Sequence, residues 1–186
     1  MLQVDGGGQL LFYFGDQTNR IVTQTTAQAA SVGRGRWHHV AVTYPGTHSA
    51  ADIRVYLDGE AQPRESESDN LLGADTNNSA SLTLGGEESG ANNMFAGELD
   101  EVRFWGEARS AEQIAGGMSS PLAGDEPGLL AYYDFDEGVA GGNNAGVTTL
   151  PGRTVGAPNG TLQGFSLAGD SSNWVTSGAY ARDEEH

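Results

Sequence analysis

Residues 36–59, RWHHVAVTYPGTHSAADIRVYLDG, decide the fold. Two runs in this stretch favour β-structure, Trp37 to Tyr44 and Ile53 to Leu57, and a polar loop rich in Pro, Gly, Ser and Thr separates them. In both runs apolar side chains recur at every second position, which is the period of a half-buried strand. The second run ends on Asp58-Gly59, a residue pair typical of hairpin turns. The stretch therefore predicts the centre of an antiparallel sheet.

Further β-prone runs lie on both sides of this stretch, each bounded by turn-forming residues. They are Gln9 to Phe14, Ile21 to Thr26, Leu82 to Leu84, Leu99 to Trp105 and Leu129 to Phe135. The polar segment between Glu60 and Ser81 predicts a long surface loop. Most of the predicted regular structure is therefore β-strand.

One helix is expected near residues 110–116. Ser110 and Gln113 have the spacing of a capping box, in which the Ser hydroxyl serves a free backbone amide and the Gln side chain reaches back. Gly116-Gly117 should end this helix. Together, the β-prone runs and this helix predict an all-β antiparallel domain over residues 1–137 with one short helix.

Residues 138–186 are rich in Gly and Asn and predict an arm that packs on the same domain. Trp174, near the end of this arm, is expected to anchor it to the domain. Stacking of Trp174 on a sugar ring is the alternative role. Trp37, Trp105 and Tyr132 lie in predicted strands and are expected in the core, because aromatic side chains dominate burial in such folds.

The charge is strongly unbalanced, with 25 acidic and 9 basic residues and a formal net charge of -16. This charge repels nucleic acids and anionic membranes, so neither is an expected partner. Because the chain has no Cys, disulfides and thiolate metal sites are excluded, and calcium held by oxygen ligands is the remaining inorganic stabiliser. No apolar run approaches the ~20 residues of a transmembrane helix. MLQVDGGG at the amino terminus lacks the features of a secretory signal, so an export signal is expected to lie outside this chain.

Several segments together resemble, in order and spacing, the laminin G-like domains of the concanavalin A-like lectin and glucanase superfamily. They are GQLLFYFGD, GRWHHVAVTY, IRVYLDGE, LTLGG, FAGELDEVRFWGEARSAEQI and GLLAYYDFDEG, between about Gly8 and Gly138. The resemblance implies a jelly-roll sandwich of two antiparallel sheets. Family domains usually begin with further strands, which this chain starts too late to include. Either residues 139–186 complete the sandwich, or the chain is part of a longer protein, or an edge is left for another segment.

The superfamily includes glucanases that use two Glu residues flanking an Asp on one strand, because retaining hydrolysis needs two carboxyl groups about 5 Å apart. Glu98 and Asp100 match the first two positions, but Val102 and Arg103 follow where the third carboxylate belongs. Glu101 is expected on the opposite strand face from Asp100. We therefore expect no catalytic residues. His38 and His39 are also expected on opposite faces, so they cannot bind one metal ion together.

Calcium is the expected cofactor, because it binds six to eight oxygen ligands and acidic loops supply them. The resemblance implies a calcium ion between two loops, which we call the rim loops: Gly15-Asp16 and Leu72 to Ser79. It singles out Asp16, Asp75 and Asn77 as metal ligands, with Asp5 or a residue outside the chain as the first ligand. Asp134 to Glu137 is a further acidic loop. The alternative is that these acids only keep the protein soluble.

These observations predict a non-catalytic ligand-binding or adhesion module of an extracellular protein. Its expected ligand is a carbohydrate or an extended peptide, held at the rim loops with calcium. The alternative is a structural spacer that docks within a larger multidomain protein and binds no free ligand. Chelator-sensitive binding on a glycan or peptide array distinguishes the two.

Overall fold

The computed structural model describes residues 1–15, 20–26, 29, 31–33, 35–69, 81–86, 94–168, 174–176 and 178. Packing divides the chain into two units. Unit 1 comprises Met1–Ser79 and Glu107–Ser119, and unit 2 comprises Ala80–Gly106 and Ser120–His186. The predicted domain bounds, 1–137 and 138–186, stay a prediction.

In chain order, the described strands are β1 (Leu2–Val4), β2 (Leu10–Gly15), β3 (Arg20–Thr25), β4 (Val40–Thr43), β5 (Arg54–Leu57), β6 (Glu60–Ala61), β7 (Arg64–Asp69), β8 (Val102–Trp105), β9 (Leu129–Tyr133), β10 (Thr149–Leu150) and β11 (Gly160–Thr161). The α-helix α1 spans Ala111–Gly117, and a short 3₁₀ helix spans Ala50–Asp52. Each pairing between these strands is antiparallel. None of the helices in the described part of the chain has the length and hydrophobicity that a membrane crossing requires.

Unit 1 contains two sheets, with strand orders β1-β2-β3-β7 and β4-β5-β6. Residues 36–59 form the centre of the second sheet, because β4 pairs with β5 in the register Val40↔Leu57. Asp58 and Gly59 then turn the chain into β6 with φ values of 53° and 83°. Positive φ at both turn residues matches the right-handed twist of a tight hairpin, and Asp-Gly tolerates it.

The two sheets of unit 1 share one hydrophobic core. Leu10 and Ile21 come from the first sheet, Val55 from the second, and Ala50 and Ile53 from the segment before β5, all nearly inaccessible to solvent. Fully burying each large aliphatic side chain contributes about 1.5–3 kcal/mol relative to leaving it exposed. Two antiparallel sheets packed over one core form a β-sandwich. The predicted fold class, all-β and antiparallel with one short helix, is confirmed.

Unit 2 has its own core. The pair β8-β9 contributes Ala131 and Tyr133, the hairpin β10-β11 contributes Leu150, and Trp174 completes the cluster with 6% of its surface exposed. The expected anchoring role of Trp174 is confirmed within this unit. Gly138 lies directly against the indole, because a Cβ there would come within 2.6 Å of Cδ1 of Trp174 and closer still to Cγ and Cδ2.

Several expected boundaries were wrong. The segment from Glu60 contains β6 and β7 instead of a continuous loop, and residues 70–80 lie outside the described residues. Leu82 to Leu84 form no strand, while Leu2–Val4 form β1, which the sequence did not predict. Strand β8 begins at Val102 instead of Leu99, because Glu101 adopts a φ of 55°, which lies outside the β region of the backbone.

Candidate functional site

Asp5, the candidate first calcium ligand, organises a turn between β1 and β2. Its Oδ1 accepts hydrogen bonds from the N–H groups of Gly7 and Gln9 at 2.8 and 2.9 Å. Its Oδ2 accepts a bond from Nε2 of Gln24 on β3 at 3.1 Å. Both carboxylate oxygens therefore stabilise the connection between three neighbouring strands of unit 1.

The expected metal ligands Asp16, Asp75 and Asn77 lie outside the described residues. In the part of the chain that the structure describes, no three His, Cys, Asp or Glu side chains are grouped to hold a metal ion. Calcium at the rim loops therefore stays a prediction.

The carboxylates before β8 are held in structural contacts. Glu98 is exposed, and Oδ1 of Asp100 accepts a hydrogen bond from the backbone N–H of Glu101 at 2.9 Å. The side chain of Glu101 is only 13% exposed and contacts Nη2 of Arg103 at 2.6 Å. A charge-assisted contact of this kind is roughly twice as strong as one between neutral groups.

Tyr132 on β9 contacts both Glu101 and Arg103. Its hydroxyl donates to Oε1 of Glu101 at 2.8 Å, and the guanidinium of Arg103 lies 5.7 Å from the centre of its ring. Arg103 also donates to the backbone oxygen of Ser120 at 2.6 Å. Burial, together with the hydrogen bond to Glu101, raises the pKa of Tyr132 well above its usual value. We call Glu101, Arg103 and Tyr132 the buried triad.

The His38 side chain is 3% exposed and has a contact at each ring nitrogen. Its Nε2 accepts bonds from the N–H of Gly33 and from Nε of Arg36, both at 3.1 Å. Its Nδ1 lies 2.9 Å from Oδ2 of Asp58, so the proton of the neutral ring belongs on Nδ1. Oδ1 of Asp58 accepts from the N–H of His39 at 3.0 Å. His38 thus stabilises the turn after β5.

The acidic loop after β9 is bridged by one arginine. Arg153 places Nε at 2.5 Å from Oδ2 of Asp134 and Nη2 at 2.5 Å from Oε1 of Glu137. The other oxygen of each carboxylate is buried and has no hydrogen-bond partner among the described residues. Burial, and then the neighbouring charge of Asp134, raises the pKa of Glu137.

A shallow depression on unit 1 brings two arginines together. Ala51, Arg54, Gln62 and Arg64 line it. Nη1 of Arg54 and Nη2 of Arg64 each lie 2.6 Å from the carbonyl oxygen of Ala51, so these nitrogens are no further apart than twice that distance. Burial and the nearby charge of Arg54 lower the pKa of Arg64. This depression is a local concentration of positive charge on an acidic protein.

Comparison with known protein families identifies the family of this chain. Residues 1–115 match a laminin G family model described as the concanavalin A-like lectin/glucanases superfamily. The chain is a laminin G-like domain of that superfamily. The match ends inside α1, so it includes β1 to β8, the Asp5 turn and two members of the buried triad. No solved structure matches this laminin G-like domain.

Two curated relatives carry the name "Sushi, von Willebrand factor type A, EGF and pentraxin domain-containing protein 1". The rat protein is 32% identical and the mouse protein 31% identical to the laminin G-like domain, each over 118 residues. The matched region covers 60% of this chain and 3% of each relative. Both names describe proteins built from several kinds of domain, of which this chain corresponds to a small part.

Two groups of residues in this laminin G-like domain were missed by sequence reasoning. For the buried triad, a signal was present, since Glu101 and Arg103 are two positions apart in sequence and their charges are opposite. Tyr132 could not be joined to them, because it lies about thirty residues away and only the β8-β9 register brings Arg103 opposite it. Arg54 and Arg64 gave no signal, since Arg54 lies in a predicted strand and Arg64 in the predicted surface loop, ten positions further along the chain.

Proposed function

We propose that this laminin G-like domain is a non-catalytic ligand-binding or adhesion module of an extracellular multidomain protein. The observation that carries the proposal is the family match over residues 1–115. The names of the rat and mouse relatives, which describe assemblies of several domain types, support a place in a longer chain. The ligand is a carbohydrate or an extended peptide that binds at the rim loops.

The arrangement before β8 supports a role without catalysis. A retaining glucanase needs two carboxyl groups that face each other across about 5 Å and can exchange protons with substrate. Here the position two beyond Asp100 carries Val102, and the nearest further carboxylate, Glu101, contacts Arg103 and Tyr132 instead of a cleft. Both contacts hold Glu101 against structural partners of unit 2, so it does not supply the missing third carboxylate.

Calcium at Asp16, Asp75 and Asn77 is part of the proposal. The oxygen chemistry of these side chains fits calcium, and the absence of Cys from the sequence leaves oxygen as the main ligand type. Asp5 does not fit the role of first ligand, because its two oxygens accept three hydrogen bonds in the β1-β2 turn. We therefore assign Asp5 to folding and the other three residues to the metal.

The experiment is a glycan array and a peptide array, each probed with the full chain in millimolar calcium and again with a chelator. The proposal expects a limited set of retained ligands whose signal is lost with chelator. Binding that persists in the presence of the chelator contradicts the role of calcium. Absence of binding to any glycan or peptide in calcium contradicts the role as a ligand-binding module. In parallel, incubation with β-glucans is expected to release no reducing sugar, and release of reducing sugar contradicts the non-catalytic role.

The second candidate, a spacer that docks within its parent protein, is favoured by exposed apolar side chains in unit 2. The segments 81–86 and 94–99 lie together, because the N–H of Phe95 donates to the backbone oxygen of Gly85 at 2.8 Å. Their exposed apolar residues are Leu82, Leu84, Met94, Phe95 and Leu99. A neighbouring domain of the parent chain would cover such a surface. Empty arrays with and without calcium support this candidate.

A further inference from the structure

We propose that Asn159 is an N-glycosylation site. Asn159, Gly160 and Thr161 form the acceptor triplet Asn-x-Thr, in which the middle residue is not Pro. The inference rests on the proposed function in one respect, because only an exported chain meets the enzyme that glycosylates Asn. The glycan donor is a lipid-linked oligosaccharide diphosphate.

The triplet lies at an accessible place in unit 2. It runs from the loop after β10 into β11, where Gly160 pairs with Leu150 and Thr161 pairs with Thr149. Asn159 and Thr161 are both exposed. Both side chains that a glycosylating enzyme must reach therefore lie on the surface.

The hydrogen bonding of Asn159 leaves the reacting atom available. Its Oδ1 accepts a hydrogen bond from the N–H of Gly152 at 3.1 Å, which holds the amide in the loop. Its Nδ2, the atom that is glycosylated, makes no hydrogen bond to the described residues. The atom that receives the glycan is therefore not engaged by the described part of the chain.

The chemistry preserves this anchor. A bond forms between Nδ2 and C1 of the first sugar, the bond from C1 to the phosphate oxygen of the donor breaks, and the lost Nδ2 proton leaves with the diphosphate side. The product is still an amide, so Oδ1 continues to accept from Gly152. The glycan is added on the solvent side without disturbing the β10-β11 hairpin.

Asn144, in the same unit, lacks the features that make Asn159 a glycosylation acceptor. It is buried, its Oδ1 accepts from the N–H of Val139, and its Nδ2 donates to the backbone oxygens of Val139 and Gly142. It also lacks the acceptor triplet. Asn77 begins a second triplet, Asn-Asn-Ser, but lies outside the described residues.

The test expresses the full chain behind a heterologous signal peptide in a eukaryotic secretory host. Protein purified from the medium is digested, and the peptide that contains Asn159 is analysed by mass spectrometry before and after enzymatic removal of N-glycans. Wild type and Thr161→Ser are expected to carry glycan at Asn159, and Thr161→Ala is expected to lose it completely. Asn143→Gln is the matched control, because Asn143 is exposed in the same unit but is in no triplet, and this variant should keep the glycan.

The proposal is overturned if secreted, folded wild type carries an unmodified Asn159, or if the glycan persists in Thr161→Ala. Because the host imposes export, neither result depends on where the protein resides naturally. The natural location is tested separately by fractionating the source cells. A chain found only inside those cells would contradict the proposed extracellular role while leaving the acceptor chemistry of Asn159 established.

Discussion

Replacing Gly138 by Ala should destabilise unit 2 more than any other single methyl group added to a described glycine there. The new Cβ would overlap the indole of Trp174, coming within 2.6 Å of Cδ1 and nearer to Cγ and Cδ2. Carbon atoms in contact are about 3.5–4.0 Å apart, so the ring or the backbone must move by about 1 Å or more. Trp174 is buried against Ala131, Tyr133 and Leu150, which leaves the ring little room.

The expected cost follows from the two ways of relieving the overlap. Repacking an overfilled core costs typically 1–3 kcal/mol, and expelling the indole approaches the 3–5 kcal/mol of removing a buried Trp. We expect Gly138→Ala to lower the free energy of unfolding by about 2–4 kcal/mol. In a chain of this length, that is a fall in Tm of roughly 5–15 °C.

The matched control is Gly146→Ala, also in unit 2. A Cβ at Gly146 meets no atom within 4 Å, and its φ is not positive. This substitution should leave the stability unchanged or raise it by up to about 1 kcal/mol, because it restricts the unfolded chain.

The assay is urea unfolding followed by circular dichroism, extended to a double-mutant cycle with Trp174→Ala. If the clash is the cause, Gly138→Ala costs little once the indole is gone, so the two substitutions couple by about 2 kcal/mol or more. Equal midpoints for Gly138→Ala and Gly146→Ala, or full additivity with Trp174→Ala, would refute the packing described for unit 2.

Three further predictions test the polar groups and the metal. Tyr132→Phe removes the hydrogen-bond donor of the buried Glu101 carboxylate and should lower the free energy of unfolding in urea by about 1.5–3 kcal/mol. Tyr133→Phe on the same strand removes a hydrogen bond to a neutral carbonyl and should lower it by only about 0.5–1.5 kcal/mol. Equal losses in the two variants would contradict the buried triad. The raised pKa of Glu137 means that the folded state binds this proton more tightly than the unfolded state, so stability should fall as pH rises from the ordinary Glu value through the raised one. Glu137→Gln should flatten the urea midpoint over that pH range, and an unchanged profile would contradict the burial of this carboxyl. Calcium at 100 times its dissociation constant should add about 2.7 kcal/mol, several degrees in Tm, and chelator should remove it; no shift at millimolar calcium would contradict a rim-loop site.

Local chemistry made two elements predictable from sequence. Asp58-Gly59 tolerates the positive φ values that a tight hairpin needs, and the structure forms that hairpin. The capping box at Ser110 is also formed, with the Gln113 N–H donating to the Ser hydroxyl at 3.2 Å and the Ser110 N–H donating to the Gln113 side chain at 2.9 Å. Signals of this kind involve neighbours in sequence, so no tertiary information is needed to interpret them.

Elements fixed by distant pairing were not predictable. Strand β7 reads RESESD, which has no apolar alternation, and it is a strand because it pairs with β3 across a bulge between Val22 and Thr23. Glu101 reads as a strand residue, but the contacts of its side chain with Arg103 and Tyr132 accompany a left-handed backbone. Pairing and side-chain networks between distant segments thus override local pattern at these positions.

Features of the candidate site were also predictable only where they depend on residues close together in sequence. The absence of a third carboxylate after Asp100 could be read directly, because it depends only on which residues follow in sequence. The role of Asp5 could not, because its three donors come from the turn and from Gln24 on another strand. The convergence of Arg54 and Arg64 on one carbonyl likewise requires two sheets to be in place.

The most direct test of the central claim is whether ligand retention depends on the rim loops. A triple variant, Asp16→Asn, Asp75→Asn and Asn77→Ala, is compared with wild type on the same glycan and peptide arrays in millimolar calcium. Glu112→Gln is the control, because Glu112 is an exposed acid on α1 and lies outside the rim loops. The account predicts that wild type and the control retain the same ligands and that the triple variant loses them. Ligand retention that is unchanged in the triple variant would contradict it.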